Sequence, residues 1–142
     1  MTDDRTAVLI QAALDARKQA YAPFSKFYVG AALETATGEI FAGCNVENSS
    51  YGMTICAERV AVGAAIVAGY RDFARVVVAA ESKASPCGAC RQVIHEFGPD
   101  ALVISTCANP ARREMPLTDL LPGAFGPSHL SGGRPRRPRR RG

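Results

Sequence analysis

"ARVVVAAESKASPCGACRQVIHEFGPDALVISTCANPARREMPL", residues 74–117, is the stretch that decides the fold. Its opening, "ARVVVAAE", is a continuous β-branched run and reads as a fully buried strand. "CGACRQVIHEFG" reads as a helix that stops at Gly98. "ALVISTC" is a second buried strand. Strand, helix and strand in that order imply parallel neighbours joined by a right-handed crossover. "REMPL" is a short strand at most. Only five residues, "ANPAR", lie between Cys107 and Arg113. A parallel crossover needs about a dozen or more, so the last strand returns antiparallel or belongs elsewhere.

Working outward, apolar Val8, Ile10, Leu14 and Ala20 among polar residues predict an amphipathic helix from about Asp4 to Ala20, with Asp3 or Asp4 as N-cap. Pro23 prevents its continuation. "KFYVGAALE" and "EIFAGCNV" flank "TATGE", a hairpin signal centred on Gly38. "CAERVAVGAAIVAGY" predicts a helix ending near Gly69, and "TDLLP" one helical turn. The order α-β-β-α-β-α-β-β-α predicts an α/β fold, a three-layer α/β/α sandwich with helices on both faces of a five-stranded sheet.

A chain of 142 residues suits one domain with one core. No apolar run approaches the roughly 18 residues of a membrane span, and "VAVGAAIVAGY" (Val60–Tyr70) reads as a buried helix. The start, "MTDDRTAVLI", has two acids and no basic n-region, so no secretory signal is expected and the expected location is cytoplasmic. The net charge is +4, but "RPRRPRRRG" at the C-terminus holds six arginines, and without them residues 1–133 carry −2. A mildly acidic body offers no electrostatic basis for a nucleic-acid groove. Residues 1–130 are expected to form the folded catalytic domain. Residues 131–142 have too little to bury and are expected to be a disordered Pro/Arg-rich tail.

Five cysteines in a chain without a secretion signal argue against a disulfide framework. Cys87 and Cys90 form a C-x-x-C at a helix start, which alone fits a redox pair or half of a zinc site. Cys56 stands at the other helix start. Helix N-termini favour thiolates through free N–H groups and the dipole. Two such termini facing each other present three thiolates to one metal, leaving an open fourth position, as in catalytic zinc sites. Glu58, two residues past Cys56, is placed to take a proton from a zinc-activated water, whose pKa falls to about 7, and pass it to a substrate nitrogen. The plain alternative is an acid decorating a first helical turn. Three thiolates and a zinc dication sum to −1, an excess that Arg59 offsets by donating to the sulfurs; Arg91 is a second candidate. Cys44 and Cys107 read as buried apolar residues. His95 and His129 carry no expected catalytic role.

"TICAERVA" and "SPCGACRQ" resemble the cytidine deaminase family of the small homotetrameric type. The likeness extends to "YAPFSKFYVGAAL", "GCNVENSSYG", "DLLP" and "FGPSHL", over nearly all of residues 8–130. The resemblance implies that Cys56, Cys87 and Cys90 bind catalytic Zn2+ and that Glu58 shuttles the proton. It implies that cytidine and deoxycytidine are hydrolysed to uridine and deoxyuridine with release of ammonia, in pyrimidine salvage. It implies that Arg59 hydrogen-bonds the ligand sulfurs. It places Asn45 and Glu47 on the ribose 3′-hydroxyl with Val46 between them as backbone, Phe24 against the pyrimidine, and Ala57 at the base edge through backbone atoms. Phe125 and Tyr51 would complete a neighbouring subunit's site. The family's last strand is antiparallel, in agreement with the short "ANPAR" link. The arginine tail has no counterpart in the family. The rivals are a deaminase of another small nucleoside, such as blasticidin S, and a structural zinc module that binds nucleic acid through the tail. The second leaves Glu58 idle and the metal one ligand short.

Overall fold

The computed structural model describes residues 4–107, 109 and 111–130. Asp3, one of two expected helix caps, and the Arg-rich tail 131–142 lie outside the described residues. Helix α1 (Asp4–Arg17) leads into the hairpin β1 (Gly30–Thr35) and β2 (Ile40–Cys44). Helix α2 (Ala57–Val67), β3 (Phe73–Ala79), α3 (Gly88–Phe97), β4 (Leu102–Thr106), β5 (Arg112–Pro116) and the single turn α4 (Leu117–Leu120) follow. The sheet order is β2-β1-β3-β4-β5. β3 and β4 are parallel, and every other neighbouring pair is antiparallel, β4 with β5 included. The five-stranded mixed sheet is as expected, and of the two placements the short link allows for the last strand the structure has the antiparallel return. α1 is shorter than its apolar pattern suggests: Lys18, Gln19 and Ala20 turn out of the helix through N–H bonds to the carbonyls of Asp15, Ala16 and Arg17.

Alternation along the strands divides the core into two. Ala32, Val77, Ala79 and Ile104 face α1 with its Leu9 and Ala13. Leu33, Val76 and Val103 face the other way, onto Ala61, Val62 and Ala65 of α2 and Ile94 of α3. Small residues on α2 let it lie close to the sheet. Gly43 makes this closest at β2, where a Cβ would stand 2.5 Å from Ala61 N and 2.7 Å from Ala57 O. The start of α2 is thus pressed against the end of the hairpin. Gly98 does end α3, but not in the left-handed conformation usual for such glycines: its φ is −145°. The constraint is space, because a Cβ there would stand 2.8 Å from Phe73 O.

Candidate functional site

The parallel pairing of β3 and β4, with α2 and α3 on one face, brings two helix N-termini together. Cys56 is the N-cap of α2 and Cys87 the N-cap of α3, and Cys90 lies in the first turn of α3. Their sulfurs all lie within 4.8 Å of one another. Cys90 N–H donates to Cys87 Sγ at 3.4 Å, so the C-x-x-C also caps its own helix. A tetrahedral zinc with Zn–S bonds of about 2.3 Å sets its sulfurs about 3.8 Å apart, and this triangle fits it. A hydrogen bond from Cys90, helped by Arg59, lowers the Cys56 pKa, while that same bond to Cys56, with burial, raises that of Cys90. All five cysteines are free thiols, and Cys44 and Cys107 stand apart from the triangle.

Glu58 is buried in the first turn of α2 at 5 % exposure. Burial pushes its carboxyl above the ordinary range, with the Cys56 charge adding to the effect and a hydrogen bond from Cys90 opposing it. Arg59 Nη2 is 3.5 Å from Cys56 Sγ. Its Nε is buried without a partner among the described residues. Arg91, the second candidate for the sulfurs, is occupied elsewhere: it donates to Pro86 O (2.8 Å), Leu120 O (2.8 Å) and Ser85 Oγ (3.0 Å). It braces the loop before Cys87 against α4. The donors of this guanidinium converge on oxygens of one loop and of the end of α4, an assignment that its place beside Cys90 could not reveal.

Beside the metal centre, three short segments pair through Val46. Val46 bridges to Tyr21 in parallel and to Ile55 antiparallel, with Val46 N–H to Ile55 O at 3.0 Å and Ile55 N–H to Val46 O at 2.9 Å. One residue past Ile55 comes Cys56, so this pairing ties the "CNVEN" segment to the metal centre. A cavity of about 310 Å³ opens here, lined by Phe24, Ser25, Glu47, Tyr51 and Thr54. The Phe24 and Tyr51 rings lie 5.6 Å apart at 60°. Tyr51 is 74 % exposed. Asn45 is buried, and its Oδ1 accepts Val29 N–H at 2.9 Å while its Nδ2 donates to Phe27 O at 2.8 Å. Glu47 Oε1 accepts Phe24 N–H (2.9 Å) and Ser25 N–H (3.1 Å), and Oε2 accepts the Ser25 hydroxyl. The Ser25 hydroxyl bond leads the causes that hold the Glu47 carboxyl below its ordinary value. Ala57 is fully buried at the first position of α2, where its N–H has no acceptor within the helix.

Phe125 is elsewhere. It is 58 % exposed, stacked on His129 with centroids 5.3 Å apart, and its carbonyl accepts Gln92 Nε2 at 2.8 Å. It does not line this chain's cavity. Ser25 and Thr54 were not singled out from the sequence. For Ser25 the available signal was a hydroxyl in a Pro-bounded turn, where such groups bond locally.

Three thiols at two helix starts with a buried acid alongside, carried on this sandwich, define the class of zinc-dependent deaminases. The model of the cytidine and deoxycytidylate deaminase zinc-binding region matches residues 3–106. A cytidine deaminase of Sporosarcina psychrophila is 48 % identical over 126 residues, covering 87 % of this chain and 93 % of that protein. One from Halalkalibacterium halodurans is 46 % identical over 121 residues, covering 83 % and 92 %. The crystal structure of cytidine deaminase from Burkholderia pseudomallei superposes with a TM-score of 0.81 at 50 % identity, covering 88 % of this chain and all of that one. The chain belongs to the cytidine and deoxycytidylate deaminase family.

Proposed function

We propose that this protein is a zinc-dependent cytidine deaminase that hydrolyses cytidine and deoxycytidine to the uracil nucleosides and ammonia. The observation that carries the reading is the triangle of Cys56, Cys87 and Cys90 sulfurs with Glu58 buried beside it. Zinc, when bound by these three thiolates, supplies a Lewis acid that makes water nucleophilic near neutral pH. With water so activated adding through its oxygen to C4, Glu58 would carry one of its protons to N3 of the pyrimidine and then the remaining hydroxyl proton to the amino group, so that the C4–N bond breaks, ammonia leaves and the C4–O bond becomes the uracil carbonyl. Its buried position suits a carboxyl that must both accept and return protons near neutrality. Arg59 offsets the −1 charge left by three thiolates and a zinc dication, and its contact with Cys56 supports that role.

Substrate is held by the cavity beside the centre. Phe24 packs on the base, Ala57 reads its edge through backbone atoms, and Asn45 and Glu47, with Val46 as spacer, hold the ribose 3′-hydroxyl. Tyr51 and Phe125 act across a subunit interface in a homotetramer; the exposure of both and the absence of Phe125 from the lining of this chain's cavity favour that arrangement, while Tyr51 also lines the cavity of its own chain. The catalytic domain is residues 1–130, and 131–142 is an appendage without a catalytic role. The place is pyrimidine salvage in the cytoplasm, with no specific nucleic-acid or membrane partner. No helix among the described residues is long and apolar enough to cross a membrane.

The test is ultraviolet assay of the zinc-loaded chain with cytidine and deoxycytidine. Turnover is expected for both, and for the chain lacking 131–142. Absence of turnover with zinc bound rules the reading out. Activity from a species that sediments as a monomer removes Phe125 from the site and limits Tyr51 to the cavity of its own chain.

A further inference from the structure

The loop carrying Phe24 is fastened to the "CNVEN" segment by side chains, and Ser25 is the centre of the fastening. Its N–H and that of Phe24 reach Glu47 Oε1, its hydroxyl donates to Glu47 Oε2, and the same hydroxyl oxygen accepts Phe27 N–H at 3.0 Å. The next residue, Lys26, has φ +59°, the only non-glycine in the left-handed region among the described residues. That conformation is uncommon for a residue with a long side chain and is held here by Lys26 N–H to Ala22 O at 3.0 Å. The turn so formed points two N–H groups and one hydroxyl at a single carboxylate.

A carboxylate accepts at about four lone-pair positions. Two on Oε1 are used by the backbone and one on Oε2 by Ser25, and the carboxylate lines the cavity. We propose that Ser25 is a positioning residue for sugar recognition, fixing the Glu47 carboxylate so that its one remaining Oε2 acceptor meets the ribose 3′-hydroxyl. This rests on the reading of Glu47 as a ribose ligand. Oε1 is spent and Oε2 is oriented, so only a hydroxyl arriving from the cavity side completes the carboxylate. Removing the Ser25 hydroxyl leaves two open acceptors on Oε2, which water fills and which no longer select one direction of approach.

The experiment is equilibrium binding of uridine and 3′-deoxyuridine to the zinc-loaded full chain by calorimetry, beside cytidine kinetics. The unaltered chain binds uridine at least about tenfold more tightly than 3′-deoxyuridine, the scale of one hydrogen bond to a charged group. Ser25→Ala is expected to weaken uridine about tenfold and 3′-deoxyuridine less than about twofold, raising KM with kcat unchanged. Ser25→Thr restores the preference, and Ser25→Ala adds nothing to the loss caused by Glu47→Ala. Equal weakening of both ligands, as a merely structural serine would give, overturns the proposal. So does a preference unchanged in Ser25→Ala, or losses that add in the double variant. A chain that shows this binding pattern yet does not turn over cytidine leaves the positioning role standing and sinks the deaminase reading alone.

Discussion

Glu58→Gln separates proton transfer from everything else Glu58 could do. The residue is 5 % exposed on the first turn of α2, and glutamine matches its volume, so no cavity opens. The three sulfurs are untouched, and zinc is expected to remain at one per chain. What disappears is a proton carrier. Such groups contribute about 10²–10⁴-fold. Bulk water cannot reach so enclosed a position to replace it, which puts the expected fall in kcat on the order of 10³–10⁴, or about 4–5 kcal/mol of barrier. Stability should move the other way. Burial disfavours the Glu58 carboxylate, and a neutral amide removes that penalty, so the unfolding midpoint of Glu58→Gln is not expected to fall. Glu58→Ala, which does open a cavity, should lower it. The assay is ultraviolet turnover of cytidine together with metal analysis and thermal unfolding. A fully zinc-loaded Glu58→Gln chain with kcat within about tenfold of the unaltered protein would refute the reasoning, since the minimum claimed for a proton carrier is about a hundredfold.

Four further outcomes are expected. Cys87→Ala abolishes stoichiometric zinc by metal analysis and cytidine turnover with it, because two thiols do not complete the centre. Arg59→Gln keeps zinc but lowers kcat/KM about 10-fold or more, the range of lost outer contacts to metal ligands; unchanged kinetics would place Arg59 outside the centre's chemistry. Glu34→Gln destabilises by about 3 kcal/mol in urea unfolding, because the buried carboxylate pairs with Arg75 at 2.9 Å and Arg5 at 3.1 Å and its loss leaves both cations facing an uncharged amide. Glu47 has a lowered pKa in the folded chain, so its contribution to holding the Phe24 loop is present above its ordinary value of 4.5 and is lost as pH falls through the lower folded value. Amide exchange at Phe24 and Ser25, measured relative to the intrinsic rate at each pH, should lose protection over that acid range, whereas constant protection would separate the loop from the carboxylate.

The architecture was legible because its signals are local. A β-branched run, a capped helix and a second apolar run imply a parallel pair, and a five-residue link excludes a parallel crossover, leaving an antiparallel return or a place elsewhere, of which the structure has the first. The thiols were legible for a related reason: N-cap and first-turn positions at two helix starts are readable from spacing, and a parallel β-α-β unit brings such starts to the same end of the sheet. The outer parts of the site were less so. Arg59 and Arg91 are alike on paper, each just past a cysteine or nearly so, yet one contacts a sulfur and the other braces Ser85, Pro86 and Leu120.

By itself the sequence determined the element order, that the last strand cannot join by a parallel crossover, and which three sulfurs and which acid stand at the helix starts. Periodicity and spacing act over a few residues, where the chain's own geometry leaves little choice. Only the tertiary structure decided where long-range polar partners fall. The Asn45 amide closes on Phe27 and Val29, the Glu47 carboxylate on Phe24 and Ser25, and Gly98 is kept for the nearness of Phe73 rather than for its backbone freedom. Those pairings join residues 16 to 25 positions apart. They depend on how closely helix, sheet and loop layers pack, a property of the assembled core that no local pattern carries.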